Sequence, residues 1–175
     1  MSDGFHTVTV RRTNGPALYR RTLSFISGEK VTMVLLDTPG GITLSRVSDM
    51  GCTNIPAGYG CLRVANMSYS GSTYDVRTFN NQIVFGGVGF KEVTTFQQTA
   101  AGHYTCFVTA PQASLTGFPE PPVHLLTAIT GGCSACMVND PIMSFGINVR
   151  PGRVYTSYII GNPWSNLYRV YTLES

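Results

Sequence analysis

The cysteines are the residues of this sequence whose type and spacing indicate chemistry, either disulfide formation or metal binding. Of the five cysteines, four lie in turn-like sequence: Cys52, Cys61, Cys133 and Cys136. Four cysteines allow three disulfide pairings. We expect the local pairs Cys52–Cys61 and Cys133–Cys136, because each closes a short glycine-rich loop. Pairing between the two segments comes second, and the odd total leaves pairing between chains open. Such cysteine usage predicts an oxidising, extracellular environment.

The same cysteines could instead hold zinc. Cys133 and Cys136 have the spacing of one zinc knuckle, but Cys52 and Cys61 stand too far apart to form a second one. A thioredoxin-like redox role would need a βαβ unit before Cys133, and the sequence has none there. We therefore predict neither a metal nor a cofactor. Cys106 lies within a β-prone run, where we expect a buried thiol that packs as a small hydrophobic side chain.

No other set of residues indicates catalysis. His6, His103 and His124 are scattered, and their spacing suggests no Ser–His–Asp set and no pair of carboxylates nearby. We therefore predict that the chain is not an enzyme. Trp164 and Tyr168 could stack on a sugar, although aromatic side chains more often pack between strands.

The composition argues against two kinds of partner, nucleic acid and the membrane interior. Charged residues make up 12% of the chain and the net charge is +3, which is too mild to indicate nucleic acid. The doublets Arg11-Arg12 and Arg20-Arg21 are interpreted as solvated strand ends. Hydrophobic residues make up 43%, enough for a core, but no apolar run is long enough for a membrane span. We expect no nucleic-acid partner and no membrane span.

The stretch from Gly60 to Val108 sets the predicted architecture. Apolar and polar side chains alternate in it with the period of strands that have two unlike faces. Turn signals recur every eight to twelve residues or so, the pattern of a β-sandwich. The expected strands are 62–66, 74–78, 83–85, 93–97 and 103–108, with turns at Asn80-Asn81 and Ala101-Gly102.

The order of these motifs resembles the domain-of-unknown-function family 4397 (DUF4397), Ig-like modules of bacterial surface and secreted proteins. The matching residues are Leu62-Arg63-Val64-Ala65-Asn66, Tyr74-Asp75-Val76, Asn80-Asn81 and Ala101-Gly102-His103-Tyr104. The family's usual proline-rich turn after the first strand is Met67-Ser68-Tyr69-Ser70-Gly71 here. The resemblance implies an Ig-like module rather than a reaction.

The first fifty residues resemble the end of the chain, which predicts an internal repeat. Residues 4–10 match 102–108, for example, and residues 44–47 match 167–170. Residues 61–175 would form a complete Ig-like module with an insert near 111–137, and 51–60 a connector. Residues 1–50 would be a half-module, the closing strands of a first copy: 4–10, 18–26, 30–37 and 42–47.

A lone half-sandwich exposes an apolar sheet face and open strand edges, so another surface has to cover it. We considered residues 61–175 of the same chain, another chain, and a preceding segment. Together with the resemblance, this predicts a structural subunit of a bacterial extracellular assembly, such as a pilus-like fibre, spore appendage or surface coat. It would be a homo-oligomer or fibre, with candidate assembly residues Phe5, Thr7, Val8, Thr9 and Val10. The alternative is a soluble extracellular carbohydrate- or ligand-binding module that uses Trp164 and Tyr168.

Overall fold

The prediction of an all-β chain is confirmed. The structure, a computed structural model, describes residues 3–69, 73–110, 141–161 and 168–175, and within these ranges the chain forms twelve strands and no helix. The strands are β1 Gly4–Arg11, β2 Ala17–Phe25, β3 Val31–Thr38, β4 Gly41–Ser48, β5 Tyr59–Asn66, β6 Tyr74–Thr78, β7 Ile83–Val88, β8 Gln97–Ala100, β9 Gly102–Thr109, β10 Met143–Val149, β11 Val154–Ile160 and β12 Arg169–Glu174.

Two four-stranded sheets form a β-sandwich from residue 59 onward. One sheet has the order β10-β9-β6-β7 and the other the order β12-β11-β5-β8. Every ladder is antiparallel except the one between β11 and β5, which is parallel. The main core lies between the two sheets and contains Leu62, Val64, Tyr74, Val76, Phe85, Val88, Cys106, Val108, Ile147, Val149, Tyr155 and Ile159.

The hairpin β3–β4 forms a third layer on the outer face of the β12-β11-β5-β8 sheet. Leu36 and Val47 of the hairpin pack with Ala65, Met67 and Tyr158 in a second core cluster. Strands β5 and β11 are therefore covered on both faces. This explains why all but the first residue of β5 are buried, although its sequence alternates like a strand with one face in water.

The hairpin β1–β2 is a largely exposed two-stranded arm. Its register runs from Gly4 opposite Phe25 to Val10 opposite Tyr19, and a bulge follows Val10. The turn between the strands includes Asn14 at φ 60°, a left-handed conformation that asparagine tolerates well. Exposure alternates along β1 between an open face and a half-buried one.

The predicted strands of the half-module are confirmed to within one residue at every boundary. One strand of the complete module was placed wrongly, because β8 begins at Gln97 whereas the sequence predicted 93–97. Val93 makes only an isolated bridge to Ala65. The Thr94 side chain accepts a hydrogen bond from the Val64 amide at 3.0 Å. This segment therefore contacts β5 before the regular β5–β8 ladder begins at Gln97.

The predicted half-module is covered in part by its own chain, the first of the three arrangements considered. Its hairpins β1–β2 and β3–β4 follow the same order and antiparallel pairing as β9–β10 and β11–β12. This similarity supports the repeat hypothesis, which together with the Ig-like assignment remains a prediction. In the part of the chain described, no helix is long and apolar enough to cross a membrane.

Candidate assembly surface

The five predicted assembly residues all lie on β1, but on two different faces. Phe5, Thr7 and Thr9 point to the open face, and the Phe5 side chain is 81% exposed. Val8 and Val10 lie on the opposite, half-buried face. The arm therefore presents one mixed polar face to solvent and one more apolar face.

The outer edge of β1 is an open strand edge. Within the described ranges, β1 pairs with β2 and with no other strand. Because residues of an antiparallel strand alternate in the direction of their main-chain groups, about half of them turn their N–H and C=O groups away from β2. An open edge of eight residues can template pairing with another strand.

Charge is unevenly distributed along the arm. Residues 4–26 contain Arg11, Arg12, Arg20 and Arg21 and no carboxylate. None of these four arginines belongs to an ion pair in the described part of the chain. Asp3, just before β1, is the acidic residue closest to it in sequence, and its carboxylate accepts a hydrogen bond from the Ser27 amide at the base of the arm.

Arg46 of β4 anchors the base of the arm. Its Nη1 donates to the Ser24 carbonyl at 2.7 Å, and its Nη2 pairs with the Glu29 carboxylate. The guanidinium carbon lies 5.1 Å from the centre of the Phe25 ring, which is buried. These contacts attach the base of the arm to the rest of the chain through β2.

Arg63 joins the hairpin layer to the sandwich. It lies on β5 and is 6% exposed, and its Nη2 donates to the Ser48 carbonyl at 2.6 Å and lies 3.4 Å from the Asp49 carboxylate. Its Nε donates to the Thr156 hydroxyl at 3.0 Å, and its guanidinium carbon lies 4.2 Å from the Phe96 ring centre. Burial lowers the pKa of Arg63, but a guanidinium still carries its charge at neutral pH.

Burial raises the pKa values of Tyr158 and Cys106 above their ordinary range. Burial raises the pKa of the Tyr158 phenol, which lies under the hairpin layer. Burial also raises the pKa of the Cys106 thiol, which is free and 3% exposed in the main core. The expectation of a buried thiol is confirmed. Because its pKa is raised and its side chain is buried, we expect this thiol to react slowly in the folded chain.

The structure contains the Cys52–Cys61 disulfide, the local pair that the sequence favoured. It ties the connector to β5, where Cys61 is fully buried. The bond removes both sulfurs from the zinc alternative, and the described residues include no group of side chains that could hold a metal ion. Cys133 and Cys136 lie outside the described residues.

Of the two residues of the ligand-binding alternative, the structure describes only Tyr168. Trp164 lies outside the described residues. Tyr168 is half-buried against the main core, with its ring centre 6.1 Å from that of Tyr74. Burial raises the pKa of its phenol. This is the packing role that the sequence weighed against sugar stacking.

Arg46 and Arg63 hold parts of the structure together, and the sequence did not indicate this role. Each sits in an alternating strand at a position that predicts a solvated side chain. Arg63 is buried because the hairpin layer covers it, and Arg46 is partly buried because the base of the arm packs against it.

In comparisons with known proteins, no family model matches the chain and no curated protein matches it significantly in sequence. The fold itself defines an all-β sandwich with an added hairpin layer and an exposed two-stranded arm. The resemblance to the domain-of-unknown-function family 4397 therefore stays a prediction.

Proposed function

We propose that this chain is a structural subunit of a bacterial extracellular assembly and that it associates with copies of itself through strand edges and sheet faces. The observation that carries the proposal is the exposed arm, whose strand β1 is open along one edge. Unpaired main-chain groups on such an edge gain hydrogen bonds when another strand is added.

The outward face of the hairpin β3–β4 offers a second contact. Met33 and Leu35 on this face are 39% and 41% exposed, and Val31, Ile42 and Leu44 are half-buried. Burial of apolar area contributes about 25 cal/mol per Å², so covering this face would stabilise an assembly. One edge contact and one face contact on different sides of a subunit would allow growth beyond a dimer.

The extracellular location is supported by the Cys52–Cys61 disulfide, because disulfides persist mainly in oxidising compartments. The bacterial surface as the setting is supported by the family resemblance of residues 62–104.

Sedimentation velocity of the oxidised full-length chain over a wide concentration range tests the proposal. We expect the weight-average mass to rise with concentration, and negative-stain images to show dimers or longer assemblies. Deleting residues 1–12, which removes β1, should abolish association through the arm. A chain that stays monomeric at every concentration would refute the proposal.

A further inference from the structure

We propose that β1 pairs with β1 of a second copy across a twofold axis at Thr7, which joins the two arms into one four-stranded antiparallel sheet, β2-β1-β1-β2. The inference rests on the proposed function, since it specifies one contact of a self-associating chain. It names the partner surface, the direction of the strands and the register.

The direction follows from symmetry. Two copies that use the same edge meet in an isologous contact, in which each residue faces its counterpart across the axis. Two identical strands related by a twofold axis perpendicular to the sheet run antiparallel. The contact closes on itself and leaves the rest of each subunit free.

Side-chain direction limits the register. Residues directly opposite each other in an antiparallel pair project on the same face of the sheet. The half-buried residues of β1 are the even-numbered ones, including Val8 and Val10, and the open face carries Phe5, Thr7 and Thr9. Only registers that place even positions opposite even positions continue both faces across the axis, because a shift by one residue inverts every side chain.

Charge then selects one register. With Thr7 opposite itself, Asp3 of each copy lies opposite Arg11 of the other, so two cross-strand ion pairs form. Neighbouring registers of the same parity place Asp3 opposite Thr9 or Thr13 instead. Neither Asp3 nor Arg11 belongs to an ion pair in the described part of the chain. Asp3 directly precedes β1, and one of its carboxylate oxygens accepts a hydrogen bond from the Ser27 amide. A carboxylate has several acceptor positions, so it can also accept from Arg11 of the second copy. The same register sets the exposed Phe5 ring opposite Thr9, an aromatic and β-branched pair of the kind that stabilises sheets.

The remaining arginines do not oppose this arrangement. The antiparallel direction sends the two turns, each with Arg12, to opposite ends of the new sheet. Arg20 and Arg21 lie on β2, and the two β2 strands are three strand spacings apart, about 14 Å. This exceeds the Debye length of about 8 Å at physiological salt, so their repulsion is largely screened.

Complementary charge reversal tests the register without depending on a single variant. In Asp3→Arg, both cross-strand pairs become repulsive pairs of cations, and in Arg11→Asp both become repulsive pairs of anions. Each variant alone should raise the dimer dissociation constant about tenfold. In an equimolar mixture the two variants should form a heterodimer, because the two introduced charges then face each other at one position and the native Asp3–Arg11 pair is kept at the other.

A cross-link locates the axis. Opposite Cβ atoms in an antiparallel pair lie about 4.5–5.5 Å apart, close enough for a disulfide after a small adjustment. Thr7→Cys should therefore give a covalent dimer on mild oxidation. Thr9→Cys is the matched control, because its counterpart lies four residues away along the strand, about 14 Å, and should not cross-link.

The outcomes separate this inference from the proposed function. If the wild-type chain associates but neither charge variant weakens it, or if the mixture restores nothing, the β1 contact is wrong and another surface carries the assembly. A Thr9→Cys chain that cross-links as readily as Thr7→Cys would also overturn the register. A wild-type chain that never associates would remove both proposals.

Discussion

Replacing Arg63 by methionine should detach the hairpin layer from the sandwich. Methionine keeps most of the length and apolar volume of the side chain, so the change removes mainly the charge and its hydrogen bonds. These are the bonds to the Ser48 carbonyl at 2.6 Å and to the Thr156 hydroxyl at 3.0 Å, and the contact with the Asp49 carboxylate at 3.4 Å. The Asp49 side chain is only 12% exposed and would lose its cation.

Breaking a buried ion pair by removing one partner costs about 3–5 kcal/mol. Asp49 keeps a hydrogen bond from the Thr32 hydroxyl at 2.8 Å, which places the expected loss near the lower end, at about 3 kcal/mol. Urea unfolding of the oxidised chain measures it, and the midpoint should fall by about 1–2 M.

Arg150→Met is the matched control. Arg150 also pairs with a carboxylate, that of Glu174, but its side chain is 58% exposed. Its replacement should leave the midpoint almost unchanged, because exposed ion pairs contribute little. If Arg63→Met costs no more than Arg150→Met, Arg63 does not hold the layers together and the account of its burial is wrong.

Three further predictions concern the body of the chain. Leu36→Ala, which truncates a side chain that is 5% exposed beneath the hairpin, should cost about 2–4 kcal/mol in the unfolding titration, whereas Leu35→Ala on the open face should cost much less. Because burial raises the pKa of Cys106 and Tyr158, the folded chain retains protons that the unfolded chain releases. Stability should be fully present below about pH 8.5 and fall as the pH rises toward the raised folded-state values, and a flat profile of thermal midpoints from about pH 8 to 10.5 would contradict this. Reducing the Cys52–Cys61 disulfide, which joins residues nine positions apart, should lower the free energy of unfolding by about 2–3 kcal/mol. Alkylation should reach the Cys106 thiol only after unfolding, because this thiol is buried. Rapid labelling of Cys106 in the folded chain would contradict its burial.

Alternation of apolar and polar side chains located strands of the sandwich such as β6, in which Tyr74, Val76 and Thr78 alternate with Asp75 and Arg77. The strands of the first fifty residues were located instead by their match to the end of the chain. The local disulfide was also predictable, since Cys52 and Cys61 lie close along the chain.

The position of the hairpin layer could not be predicted in this way. Residues 62–66 alternate like a strand with one solvent-exposed face, yet both faces are buried. Arg63 is the charged residue on the face that the sequence predicts to be exposed. A guanidinium on a strand normally predicts solvent, but here it finds a carbonyl, a hydroxyl and a carboxylate supplied by segments distant in sequence. Such a set of partners depends on the tertiary fold and leaves no local pattern.

The two hairpins of the half-module meet the same physical problem in different ways. Each has a more apolar face and, if the repeat prediction holds, an edge that further strands would cover in a complete module. The hairpin β3–β4 packs Leu36 and Val47 onto the body of its own chain, so its inner face is satisfied. The arm β1–β2 is held at its base by Arg46, and β1 finds no second strand in the described chain. We therefore expect the open edge of β1, rather than the hairpin β3–β4, to recruit a strand from a second copy. Changes along β1 should alter association and leave the stability of the sandwich nearly untouched, whereas changes at Arg63 or Leu36 should do the reverse.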